Sequence, residues 1–143
     1  MSIFPQFATV VVRRKLSVSA RVAWARIGNF ADAGRFLGIE SRVTEGDGNL
    51  GSVREVGDTV VEVMVGQTRT SYTYAQIEGP MATLCYHGCV AVEADGPDAC
   101  ELTWTLTFDQ TLFSNEQRAA EHERLTQRFE GGVSAMKTLV EAS

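Results

Sequence analysis

The sequence is poor in cysteine, proline and histidine: Cys85, Cys89 and Cys100 are the only cysteines, beside three prolines and two histidines. An odd number of cysteines builds no disulfide framework and fits free thiols in a reducing, cytoplasmic compartment. Charge is also without clusters. The formal net charge is -5, and the basic residues are scattered from Arg13 to Lys137 with no stripe, which argues against a nucleic-acid partner. The segment from Met1 to Val12 lacks the basic start, apolar run and small-residue cleavage site of a secretory signal. No apolar stretch reaches the ~20 residues needed to span a bilayer, so no stable membrane insertion is expected.

What remains is ordinary globular material. Hydrophobic residues make up 44% and charged residues 22%, which suffices for a packed core, and 143 residues are the size of one domain spanning 1–143. A β-branched run in Thr9 to Leu16 predicts a first strand. Ser19 is a good N-cap for a helix over Ala20 to Ile27 that Gly28 ends, and a second short helix is expected from about Phe30 to Leu37, ending at Gly38. From Ile39 onward, short β-rich runs alternate with turn residues: Glu45 to Asn49, Gly57-Asp58, Gly66-Gln67, Glu78-Gly79-Pro80 and Asp95 to Asp98. About six more strands follow from this. The last, Glu101 to Asp109, places Leu102, Trp104, Leu106 and Phe108 on one face and threonines on the other.

Ser114-Asn115-Glu116-Gln117 reads as a capping box that opens a long helix. On it His122, Leu125, Phe129, Gly132, Met136 and Leu139 form one stripe, which must pack on the sheet. Short turns between successive strands imply antiparallel pairing. The expected fold is therefore α+β, with a curved antiparallel sheet and a long C-terminal helix enclosing a pocket for a small, largely apolar molecule.

This order, with Val22-Ala23-Trp24 and Ile27-Gly28-Asn29-Phe30 in the first helical unit, resembles the START-like or helix-grip superfamily, specifically its polyketide cyclase/dehydrase-like branch. Gly51-Ser52-Val53-Arg54, Glu62 within Val60-Val61-Glu62-Val63, Ser71-Tyr72-Thr73-Tyr74 and Trp104 extend the likeness over nearly the whole chain. The resemblance implies a seven-stranded sheet curled around the last helix, two short helices closing one end, and an internal cavity. Two departures bear on the shape of its entrance: Asn29 stands where many relatives have Asp, and Phe36 and Leu37 where they have a Trp.

Family likeness places Arg54 in the cavity, and a buried guanidinium needs an anionic or strongly polar partner. Glu62 is the candidate, since a turn at Gly57-Asp58 returns it toward Arg54. Val61, Val63 and Val65 compete with this reading, because they resemble an inward face that would turn Glu62 outward. In similar enzymes an Arg and a Glu at such positions are catalytic. Arg54 stabilising an oxyanion, Glu62 moving a proton and Tyr72 donating a hydrogen bond would then form the reactive set.

Tyr72, Tyr74 and Gln76 share one strand face, and Leu84, Tyr86, Gly88 and Val90 share one on the next. Trp24, Phe30, Tyr74, Tyr86, Trp104, Leu106, Phe108, His122, Leu125, Phe129 and Met136 are the expected ligand contacts. Cys85, His87 and Cys89 form no zinc site, because residues four apart on a strand are separated by roughly 13 Å and zinc holds each thiolate at about 2.3 Å. The resemblance implies neither metal nor organic cofactor. Three functions are consistent with this chain: a binder of a small apolar or aromatic ligand, a cyclase, aromatase or dehydratase acting through Arg54 and Glu62, or a stress or interaction protein with a vestigial cavity. A homodimer is compatible with each.

Overall fold

The computed structural model describes residues 4–142. Residues 1–3 and 143 lie outside it, and with them the extreme ends of the 1–143 reading and the start of the segment judged to lack a secretion signal. Seven strands, β1 (Phe7–Leu16), β2 (Ser41–Glu45), β3 (Val53–Val56), β4 (Val60–Thr68), β5 (Ser71–Glu78), β6 (His87–Ala94) and β7 (Cys100–Asp109), form one antiparallel sheet in the order β1-β7-β6-β5-β4-β3-β2. Three helices accompany it: α1 (Ala20–Ile27), α2 (Ala33–Leu37), which follows a single 3₁₀ turn at Phe30–Asp32, and α3 (Asn115–Glu141).

The local signals act as their chemistry requires. The Ser19 hydroxyl accepts from the Val22 amide at 3.2 Å and starts α1. Gly38 adopts φ +74, the left-handed conformation that a Cβ disfavours, and so ends α2. At Ser114 both halves of the capping box form, the Gln117 amide donating to Ser114 Oγ at 3.1 Å and the Ser114 amide to Gln117 Oε1 at 2.8 Å.

Helix α3 lies across the sheet with Leu125, Phe129, Gly132, Val133, Met136 and Val140 buried. Gly132 permits the close approach, because a Cβ there would meet Leu37 Cδ2 at 3.1 Å and Trp104 Cζ3 at 3.2 Å. The core is continuous from β1, β6 and β7 to this stripe. The burial stops at the N-terminal end of α3, where every residue before Leu125 is exposed or half-buried. Toward that end, α3, α2 and strands β3 to β5 leave a space unfilled.

The inward face of β4 differs from the valine reading. Glu62 and Met64 are buried, while Val61 and Val63 are half-buried and Val65 is exposed. The register pairs Arg54 directly with Glu62, and irregularities between Val61 and Glu62 and between Met64 and Gly66 bend β4. Valine suits a pleated surface on either face of a sheet, so the three valines carry little information about orientation.

Candidate functional site

The space beneath the first buried turns of α3 is a cavity of about 220 Å³. Its apolar walls include Trp104 from β7, Leu125 and Phe129 from α3, Leu37 from α2, and Met81 from the β5–β6 connection. Arg54, Glu62, Tyr74, Gln76 and Tyr86 bring polar groups to it, and Arg124 and Arg128, exposed on α3, stand at its mouth. Trp104 and Phe129 meet edge to face at 4.6 Å between ring centroids, a favourable aromatic contact in this apolar wall.

Arg54 is 1% exposed, too buried to be tolerated without partners, and the partners are built in. Nε donates to Glu62 Oε1 at 2.8 Å, and Nη2 approaches the same oxygen at 2.7 Å. Nη1 donates to the Phe30 carbonyl at 2.9 Å and to the Tyr72 hydroxyl at 3.2 Å. Aromatic rings cover the guanidinium, Phe30 at 4.1 Å and Tyr74 at 4.6 Å from ring centroid to Cζ. Such a cation is clamped by the protein, with few donors left for anything else.

Glu62 is in a different position. Both of its contacts with Arg54 fall on Oε1, so Oε2 is the oxygen left to face the cavity. Burial pushes its carboxyl above the ordinary carboxylate value, and the Arg54 and Arg128 charges draw it only part of the way back.

The neighbouring phenols are held neutral. Burial raises Tyr74 and Tyr86 well above the usual phenol range. The Tyr74 hydroxyl accepts from Trp104 Nε1 at 3.0 Å. Its ring fits only because its partner across the β5–β6 pairing is Gly88, where a Cβ would fall 2.1 Å from Tyr74 Cζ. Gln76 accepts the Met81 amide at 2.8 Å through Oε1 and so fastens the β5–β6 connection over the cavity.

Of the expected site residues, Arg54, Glu62, Tyr74, Tyr86, Trp104, Leu125 and Phe129 come together around this space. The others require correction. Tyr72, Trp24 and Phe30 do not line it: Tyr72 packs against Trp24 at 5.9 Å and Phe30 at 5.3 Å, in a cluster that backs the guanidinium. Tyr72 is therefore a support for Arg54. Leu106, Phe108 and Met136 are fully buried in the packed core beyond the cavity. His122 is exposed, lying on α3 ahead of Leu125, the first buried residue of that helix, and it does not line the cavity. Arg124 and Arg128, which a reading of helical spacing sets opposite the apolar stripe, and Met81 were not expected at the cavity. The signal for the arginines was present, since each immediately precedes a buried residue of α3, Leu125 or Phe129, and so sits at the edge of the apolar stripe.

Among the described residues no group of three or more His, Cys, Asp or Glu could hold a metal ion, and no helix is long and apolar enough to cross a membrane.

A sheet gripping a long helix around a mostly apolar cavity defines the START-like, helix-grip class. The family described as polyketide cyclase / dehydrase and lipid transport matches residues 8–141, and the chain belongs to it. Among solved structures, a protein from Bacillus thuringiensis superposes with TM-score 0.76 at 21% identity, covering 94% of this chain and 100% of the other. Norcoclaurine synthase from Thalictrum flavum, in complex with dopamine and hydroxybenzaldehyde, is similar with TM-score 0.70 at 18% identity, covering 97% of this chain and 90% of that one. Ara h 8.0201 superposes with TM-score 0.69 at 17% identity, with coverage of 94% and 98%. No curated protein sequence matches this chain. At these identities the likeness establishes the fold, and the family places the chain in a hydrophobic ligand-binding or polyketide cyclase-like superfamily.

Proposed function

We propose that this protein binds one small, flat apolar or aromatic molecule in the cavity between α3 and strands β3 to β5. The observation that carries this reading is the composition of the walls: Trp104, Phe129, Leu125, Leu37 and Met81 surround about 220 Å³, with a few fixed polar groups on one side. Apolar surface with sparse, oriented polar groups is how small-molecule sites combine affinity with orientation. The volume lies below the roughly 300–1,000 Å³ of drug-sized pockets, which favours a ligand of one or two rings.

The test uses 2-methoxynaphthalene, a neutral bicyclic probe, followed by titration calorimetry and by the indole N–H resonance of Trp104. Saturable one-to-one binding with a shift of that resonance is expected. Replacing Leu125→Trp fills the cavity and should abolish it while circular dichroism stays native. Undiminished binding by the filled variant would place the probe elsewhere and end this reading.

A second reading, catalysis in the same cavity, is favoured by one observation: Glu62 presents a free oxygen of a carboxyl whose proton affinity is raised by burial. Such a group can exchange a proton with a bound ligand. Arg54 then acts by holding Glu62, since its own donors are largely taken up. The variant Glu62→Gln should keep ligand binding and lose turnover of any substrate found; turnover surviving that change would exclude Glu62 as the proton carrier.

A further inference from the structure

Two polar side chains of the cavity wall are neighbours across a strand pairing. The β4–β5 register sets Glu62 opposite Gln76, which puts both on one face of the sheet in adjacent positions. Both line the cavity, and they are only 6% and 8% exposed. Each is bound to the protein through one atom and leaves another over. Glu62 gives Oε1 to both Arg54 contacts and keeps Oε2. Gln76 gives Oε1 to the Met81 amide; because that N–H can only donate, the carbonyl oxygen must meet it, and the amino group Nε2 is the end left over. Neither Glu62 Oε2 nor Gln76 Nε2 makes a hydrogen bond with any described residue. Among the described residues no side-chain nitrogen or oxygen is both sealed off and unpartnered, so these two atoms open on the cavity that their residues line.

We propose that the ligand is a flat cyclic amide, a lactam or 2-pyridone-type ring, held by an edge on which a donor and an acceptor stand side by side. Its N–H donates to Glu62 Oε2 and its carbonyl accepts from Gln76 Nε2, while the ring packs on Trp104 and Phe129. The assignment rests on the binding role given to this cavity under Proposed function and adds the chemical class. A ligand that fills the cavity and leaves either atom bare removes its hydration without replacing it. A cyclic amide satisfies both together, because the ring holds its N–H and C=O on one edge. Arg54 and the Met81 amide fix the two receiving groups before the ligand arrives, so little ordering is lost on binding. Against burial, the Arg54 and Arg128 charges favour the ionised, accepting form of Glu62. A carboxylic acid offers a like edge only when protonated; as an anion it would lie against the Glu62 carboxylate.

Three bicyclic probes separate the arms: 2-quinolone, which has the whole edge, coumarin, in which a ring oxygen replaces the N–H, and 1,2,3,4-tetrahydroquinoline, which keeps the N–H and lacks the carbonyl. Calorimetry on the intact chain at pH 8 is expected to show 2-quinolone binding tightest. Coumarin should be weaker by about tenfold, the usual loss for one hydrogen bond to a charged group. The tetrahydroquinoline should be weaker by about fivefold, as for one neutral hydrogen bond. Gln76→Leu should weaken 2-quinolone and coumarin about fivefold more than the tetrahydroquinoline, which has no carbonyl to lose a donor. If that variant does not fold, the probe series on the unaltered chain still reads both arms. Equal affinity for 2-quinolone and coumarin would overturn the N–H arm. Equal affinity for 2-quinolone and the tetrahydroquinoline, or equal weakening of all three by Gln76→Leu, would overturn the carbonyl arm. Tighter binding of 2,3-dihydroxynaphthalene, whose adjacent hydroxyls form a similar edge, would overturn the assignment to an amide. If 2-quinolone does not bind but 2-methoxynaphthalene does, this ligand class is wrong and the binding cavity stands; if 2-methoxynaphthalene also fails, both fall.

Discussion

Replacing Arg54→Met tests the architecture of the site from its most buried charge. The substitution keeps much of the apolar stem but removes the donor to Glu62 at 2.8 Å, the donors to the Phe30 carbonyl and Tyr72 hydroxyl, and the cation lying 4.1 Å from the Phe30 ring centroid. Breaking a buried ion pair from one side costs about 3–5 kcal/mol, because the surviving charge is left without compensation. For a chain of this length that is a fall in Tm of roughly 10–15 °C. The cost should depend on pH. Glu62 already holds its proton more tightly than an ordinary carboxyl because of burial, and loss of Arg54 raises it further, so the variant recovers stability as the solution is acidified and the carboxyl becomes neutral. Removing both charges, Arg54→Met with Glu62→Leu, should return all but about 1–3 kcal/mol, the residue being the Phe30 carbonyl and Tyr72 hydroxyl left without a donor. Urea denaturation of the two variants at pH 5 and pH 8 measures each term. A loss under about 1 kcal/mol for the single variant, or a double variant no more stable than the single, would refute the view that Glu62 depends on Arg54 for its place inside.

In the unaltered protein, carboxyl-carbon NMR should give Glu62 a titration midpoint above the ordinary value of 4.5; its folded-state proton affinity being raised, its contribution to stability is full below 4.5 and is lost as pH rises through the folded midpoint. A midpoint below 4.5 would mean that the pair with Arg54 outweighs burial. Gly88→Ala sets a Cβ 2.1 Å from Tyr74 Cζ and must displace the ring and its bond to Trp104 Nε1, at a cost of about 2–4 kcal/mol. Urea unfolding together with the Trp104 indole resonance reads both effects, and an unmoved resonance at unchanged stability would contradict the packing described. Ser114→Ala removes the acceptor of the Gln117 amide and should cost about 1 kcal/mol. Faster amide exchange in the first turn of α3 would accompany it, and full retention of stability would show the capping box to be idle.

Much of the fold was legible because its signals are local. Ser19, Gly38 and the Ser114 box satisfy or release backbone groups within a few residues, and β7 alternates without interruption. The site was legible only in part. Trp104, Leu125 and Phe129 followed from periodicity, and Arg54 and Glu62 from family likeness. Tyr72 and Tyr74 illustrate the limit: two residues apart on one face of β5, they are equivalent by pattern, yet one lines the cavity and the other backs Arg54. His122 fits the stripe by spacing yet is exposed and outside the cavity, since burial on α3 begins only at Leu125.

The sequence alone therefore determined the elements, their antiparallel order and the identity of the long helix's buried face, all set by bonds and burial within a few residues of chain. Tertiary structure decided the rest. Glu62 points inward because β3 aligns it with Arg54 across the strand pairing, against the reading that the neighbouring valines suggested. Gly88 matters because Tyr74 lies opposite, and Arg128 reaches a cavity whose other walls come from distant elements. Each depends on what lies across a gap in space, and spacing along the chain carries no record of that.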